Sequence, residues 1–267
     1  MGRTGGLMEA AYIHADGPRA GAWNMALDFW LWKTQGPDRP PVVRFYRWAR
    51  PTVSLGYHQG VEAVVDLDVC ADLGVDVVRR PTGGAAVLHH DELTYSVIAT
   101  PAQLGVTTPR AAYERISQAL REALRRLGLP QADVARPARS AGRFSGFCFA
   151  ETARYEITVD GRKLVGSAQR WGRSAVLQHG SILLDFDLRL AAVFRPGLFR
   201  RAFTTLREAC GGVPSIEDLE AALRAGFTAV FGWGWQDLPT GLVDEGQVRG
   251  LQALFEVRRH EPGDSLP

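Results

Sequence analysis

Cys148, in Ser145-Gly146-Phe147-Cys148-Phe149, and Lys163, in Gly161-Arg162-Lys163-Leu164, are the residue types here that suggest covalent chemistry. A thiolate is a strong nucleophile, but a free cysteine is mostly protonated near neutrality, so a reactive one needs a positive neighbour. Lysine occurs only at Lys33 and Lys163, and arginine supplies nearly all the other positive charge. A compact ammonium kept in an arginine-rich chain suggests a task that a planar guanidinium fills less well. Cys148 has two readings at this level: a nucleophile, or a small apolar side chain of the core. Lys163 also has two: a cation lining a cleft, or a solvated lysine paired diagonally with Glu156.

Two more segments carry polar groups of interest. In Arg79-Arg80-Pro81-Thr82-Gly83-Gly84, adjacent glycines after a strand let the backbone approach a ligand, and the arginines can bind a carboxylate or phosphate. A plain hairpin turn is the other reading. No GxGxxG and no Gly-Lys-Ser/Thr loop is present. His89-His90-Asp91-Glu92 has metal-ligand types, but neighbouring strand side chains point to opposite faces, so no metal is expected. His179, in Gln178-His179-Gly180-Ser181, reads either as a cleft residue or as a histidine satisfied by backbone hydrogen bonds.

The positioning elements follow from local patterns. Pro109 to Leu127 is predicted as a helix, with proline at a first-turn position and Ile116, Leu120, Leu124 and Leu127 at helical spacing. Further helices are expected over Trp23–Lys33, Asp66–Leu73, from Ser215 to Phe231 and over Asp244–Arg258. Strands are expected at Tyr12–His14, Val42–Trp48, Val75–Arg79, Ala86–Leu88, Leu93–Ala99, Tyr155–Val159, Arg162–Gln169 and Ala175–Leu184. Pro130 to Phe144 reads as loop. Asp160-Gly161 is a two-residue turn whose central positions need positive φ, so Val159 should pair with Arg162 and Thr158 with Lys163. Alternation then puts Lys163, Val165 and Ser167 on the more polar face, with Thr158 and Glu156. Hairpins among irregularly alternating helices and strands predict an α/β (α+β) fold, a mixed β-sheet core flanked by helices.

A length of 267 residues with 46% hydrophobic and 22% charged residues suits an ordinary globular domain. A net charge of +2 and scattered aromatics argue against nucleic acid as a partner. Three well-separated cysteines form no zinc pattern or disulfide framework, and no long apolar run is present. A reduced, cytoplasmic protein with no membrane association is expected.

Taken together, Arg79 to Gly84, Ala86 to His89, Glu92 to Ser96, Cys148-Phe149, Gly161 to Gln169 and Gln178 to Asp185 resemble the lipoate/biotin protein ligase superfamily. Within it they look like the octanoyltransferase LipM branch, and Gly21 to Asp28 fits as well. The family commonly has Arg where this chain has Ala85, and His-Asp where it has His89-His90. The resemblance implies a single ligase-type catalytic domain over 1–267, with a core at about 36–231 and a C-terminal helical segment at about 244–258.

It also implies transfer of octanoyl from octanoyl-acyl carrier protein to a lysine of lipoyl domains, such as glycine cleavage H protein or 2-oxoacid dehydrogenase E2 subunits. Cys148 would carry the acyl thioester, and Lys163 would lower its pKa and polarise the acyl carbonyl. Arg79, Gly83, Gly84, His89, Gly166, Ser167, Ala168 and His179 would bind substrate, without cofactor or metal. A basic face between Arg110 and Arg143 would steer acidic carriers, unless it is only a solvated helix face. The competing readings are an amidotransferase between lipoyl-domain proteins, an ATP-dependent lipoate ligase, and a non-catalytic carrier-binding module.

Overall fold

Positive φ at both Asp160 (50°) and Gly161 (76°) makes the expected two-residue turn, and Val159 pairs with Arg162 and Thr158 with Lys163. The structure, a computed structural model, describes residues 9–135 and 156–257. In chain order the strands are β1 (Ala10–Arg19), β2 (Val42–Trp48), β3 (Thr52–Leu55), β4 (Asp76–Arg79), β5 (Val87–His89), β6 (Glu92–Ala99), β7 (Asp133–Val134), β8 (Ile157–Val159), β9 (Arg162–Trp171), β10 (Val176–Leu183) and β11 (Gly234–Asp237). The α-helices are α1 (Gly21–Thr34), α2 (Leu67–Asp72), α3 (Pro109–Arg126), α4 (Leu206–Cys210), α5 (Ile216–Phe231) and α6 (Glu245–Leu251).

Eight strands form one mixed sheet in the order β11-β1-β2-β6-β10-β9-β8-β7, and β4-β3-β5 form a second, small sheet. The large sheet takes in β1 and β11, which lie outside 36–231. Helices α3 and α5 cover one face of the large sheet: Ile116, Leu120 and Leu124 pack with Val97, Val176 and Phe227. On the other face α1 packs Met25, Phe29 and Trp32 with Tyr46, Trp48, Ile98 and Leu177. Because α1 is enclosed on nearly every side, it buries Asn24 and Asp28 along with its apolar residues. The mixed sheet flanked by helices is the expected fold class.

Local chemistry sets the helix ends. The side chains of Asp66, Thr108 and Ser215 accept the first free N–H groups of α2, α3 and α5. Gly232 ends α5 in the left-handed conformation. The small sheet, with β3 before α2 and with β4 and β5 after it, packs on the α1 side of the large one, where Thr52 and Val78 lie against Gly21. The bend at His90-Asp91 carries the chain from β5 directly into β6, which with β10 forms the central pair of the large sheet.

Candidate active site

Strand register builds the floor of a pocket. Tyr46 of β2 lies beside Thr94 of β6, Thr94 beside Ser181 of β10, and Ser181 beside Gly166 of β9. Two residues further along each strand, Arg44, Ser96, His179 and Ala168 form a parallel row. The period of two puts both rows on the same face, the one covered by α1. Met25 of α1, Arg80 and Gly84 of the following loop, and Val87 and His89 of β5 line a partly open pocket over this floor, with about 430 Å³ of empty space that includes open solvent.

Beneath the pocket runs a chain of buried polar contacts. The Asp28 carboxylate accepts from Arg44, from the Tyr46 hydroxyl (3.0 Å), from Ser96 (2.8 Å) and from His179 Nδ1 (3.0 Å). His179 Nε2 meets Thr82 Oγ1 at 2.7 Å. Thr82 Oγ1 also accepts from Arg80 Nε (3.1 Å), which leaves its own proton for His179. Each side chain here thus has one consistent role, with the His179 proton on Nδ1. Burial lowers the His179 pKa, and Asp28 offsets this only in part, so the ring is neutral at neutral pH.

A second arm repeats the arrangement. His89 Nε2 meets Ser54 Oγ at 2.7 Å, and His89 Nδ1 meets Glu92 Oε1 at 2.8 Å. Glu92 also accepts from Thr94 (2.5 Å), Ser181 and the Trp48 indole (3.1 Å). Trp48 stacks on His89 with ring centres 3.9 Å apart. Arg80 joins the arms: its guanidinium reaches Thr82, the Ser54 carbonyl (2.9 Å), and the carbonyls of Gly83 (2.6 Å) and Ala85 (2.8 Å). Burial alone would raise the carboxyls of Asp28 and Glu92. The Arg44 charge and the His179 hydrogen bond hold Asp28 below its ordinary value, and the His89 charge and hydrogen bonds do the same for Glu92. Among the described residues no cluster of His, Cys, Asp or Glu could hold a metal ion.

Of the residues singled out from sequence, Gly84, His89, Gly166, Ser167, Ala168 and His179 line the pocket. Arg79 does not: its Nη1 donates to the carbonyls of Gly56, Tyr57 and Gln59 and so braces a loop. Gly83 lends its carbonyl to Arg80, outside the pocket wall. Cys148 lies outside the described residues.

Lys163 keeps the expected diagonal partner, Glu156, but not the expected exposure. It is fully buried, so it is neither solvated nor on an open polar face. Its diagonal pairing with Glu156 is present, at 2.5 Å and fully enclosed. A register shift after Thr158 sets Ile157 opposite Val165, so simple alternation fails at this point. Phe203 and Thr204 then cover the strand, with Thr204 donating to the Lys163 carbonyl at 2.8 Å. Neither member of the pair is among the residues that line the pocket. Burial, joined by the Glu156 charge, pushes the Tyr95 hydroxyl up to about 12, and that hydroxyl lies 2.7 Å from Ser167 Oγ.

Sequence reasoning misses Asp28, Arg44 and Ser54 as parts of the site; it considers Arg80 as an anion binder and Glu92 only as a metal-ligand type, whereas Arg80 bonds protein carbonyls and Glu92 bonds His89. Asp28 had a legible signal, a carboxylate within the apolar run Asn24-Met25-Ala26-Leu27-Asp28-Phe29-Trp30. His179 proved to be satisfied by side chains, not by the backbone.

Comparison with known proteins agrees with this geometry. The family model for the lipoyl protein ligase A/B catalytic domain matches residues 20–228. Octanoyltransferase LipM of Bacillus cereus is 44% identical over 266 residues, covering 92% of this chain and 94% of that protein. Octanoyltransferase LipM of Kyrpidia tusciae is 40% identical over 235 residues, 81% of this chain and 85% of its own. Lipoate-protein ligase A bound with ATP superposes with a TM-score of 0.78 at 24% identity, over 91% of this chain and 94% of that one. Protein Ta0514 of T. acidophilum with bound lipoic acid gives 0.76 at 23%, over 92% and 95%, which shows a shared fold. With the matching residues spanning the α1 carboxylate, the Arg80 loop and the pocket strands, the chain belongs to the lipoyl protein ligase A/B catalytic family, in its octanoyltransferase branch.

Proposed function

We propose that this acyltransferase moves an octanoyl group from the thioester of an acyl carrier protein to a lysine amine of lipoyl domains, through an S-octanoyl intermediate on Cys148. The observation that carries the reading is the pocket over the strand floor, a partly open space lined by Met25, Tyr46, Trp48, Val87 and the Gly166–Ala168 wall. Its wall, Gly166–Ala168, lies on the same strand as the buried Lys163. An acyl chain suits such a cavity because each methylene removed from water contributes about 0.8 kcal/mol.

In the first step the Cys148 thiolate attacks the thioester carbonyl. The bond between the carbonyl carbon and the carrier sulfur breaks, and the carrier thiol leaves with a proton. In the second, the acceptor lysine, as the free amine, attacks the same carbon. The bond to Cys148 breaks, the amide forms, and the amine loses a proton. Both tetrahedral intermediates place negative charge on the carbonyl oxygen, which a positive group nearby stabilises. Lys163 supplies that charge and favours the Cys148 thiolate. Its buried pairing with Glu156 fixes its position. The incoming thioester is already activated, so the cycle uses no ATP.

Intact-protein mass spectrometry tests the reading. Incubation with octanoyl carrier protein, without ATP, should add one octanoyl mass, released by hydroxylamine and absent in Cys148→Ala. No adduct sinks the transferase reading, and a strict ATP requirement revives the ligase.

A further inference from the structure

On the reading just given, we infer that Met25 of α1 sets the length of acyl chain the enzyme accepts. The row Tyr46–Thr94–Ser181–Gly166 crosses four neighbouring strands, three strand spacings or about 14 Å of sheet width. Its β9 end, at Gly166 and Ala168, is the strand that carries Lys163, so the acyl carbonyl belongs there. The methyl end then points to the β2 side, where Tyr46, Trp48 and Met25 meet in one apolar cluster. An extended eight-carbon chain spans most of that width.

The three closing side chains differ in freedom. The Tyr46 hydroxyl is tied to Asp28, and the Trp48 indole to Glu92 and Thr94 while its ring stacks on His89. Met25 has no hydrogen bond to hold it. It is buried, lines the pocket, and sits one helical turn before Asp28, which fixes α1 over the floor. Its unbranched thioether is also the easiest of the three to reshape without disturbing polar contacts. Depth at this end is therefore set by the side chain at position 25.

The experiment measures the rate of S-acyl adduct formation on Cys148 from hexanoyl, octanoyl, decanoyl and dodecanoyl carrier protein, in wild type, Met25→Ala, Met25→Phe and Met25→Leu. Each further methylene housed is worth about four-fold. Met25→Ala should therefore raise the decanoyl-to-octanoyl rate ratio up to about 15-fold, two methylenes' worth. Met25→Phe should move the preference to hexanoyl, and Met25→Leu should keep the wild-type order. The ratio is internal to each variant, so a general loss of stability does not move it. Unchanged ratios in both Met25→Ala and Met25→Phe overturn the inference. If wild type forms no adduct with any donor, the relay fails separately. The inference is then judged by thermal shifts with free octanoate and decanoate, where equal ranking in wild type and Met25→Ala overturns it.

Discussion

Replacing Asp28 by Asn tests whether a single carboxylate organises the pocket floor. Asp28 is fully buried and accepts from Arg44, Tyr46, Ser96 and His179. Asn offers one acceptor oxygen and turns an NH2 towards groups that are themselves donors. Arg44 keeps Asp16 at 3.2 Å, but the buried charge loses its main partner. Breaking a buried ion pair from one side costs about 3–5 kcal/mol. Were the carboxylate no more than a neutral hydrogen-bond acceptor, the cost would be about 1 kcal/mol.

Urea unfolding followed by tryptophan fluorescence separates these outcomes. With m near 3 kcal/mol/M for a chain this long, the midpoint should fall by about 1–1.7 M at unchanged m. The pH dependence gives a second check. The folded Asp28 carboxyl lies below its ordinary value because Arg44 and its hydrogen bonds outweigh the effect of burial. A depressed folded pKa contributes stability that is complete above the unfolded value, near 4, and is lost as pH falls through the folded one. The gap between wild type and Asp28→Asn should therefore hold from about pH 8 to about pH 5 and narrow below about pH 4. A loss under about 1 kcal/mol at neutral pH, or a gap that does not narrow in acid, would refute the ionic account of the floor.

Two further substitutions probe the wall of the pocket. In Gly180→Ala the new Cβ would stand 2.6 Å from the Gly166 carbonyl, from Ser167 Oγ and from Tyr95 Cε1. Because the first of these is backbone, β9 must shift, and a loss of about 1–3 kcal/mol with slower acylation is expected; wild-type melting and turnover would show that the wall yields freely. Lys163→Arg keeps the charge but forces a larger planar group into a fully buried site, so kcat for transfer should fall about 100-fold or more. Near-wild-type turnover in that variant would remove Lys163 from the mechanism.

The residues most legible in the sequence are those whose conformation is decided within a few positions. Asp160-Gly161 needs positive φ, and the apolar stripe of α3 repeats at helical spacing, so both elements form where their residues say. Strands β3 and β11 carry no such signal. Thr52–Leu55 alternates polar and apolar over only four residues, too few to announce a strand, and is buried on both faces, while Gly234–Asp237 pairs along β1. The polar network is hidden for a related reason: its two carboxylates, two histidines and two arginines come from six separate segments of the chain. Only the fold brings Asp28 to His179, 151 positions away, at 3.0 Å. Lys163 shows how far pairing logic reaches. The hairpin names its neighbours, Thr158 across the ladder and Glu156 on the diagonal, because the turn fixes them. Its burial comes from Phe203 and Thr204, forty positions on, which nothing in the hairpin announces. An ammonium enclosed with its counter-ion is held in place at the cost of desolvation. That cost is a reason for such a lysine to be rare in the chain, and it makes position 163 the place where exchange for arginine, harmless at most of the surface, should be felt in the chemistry.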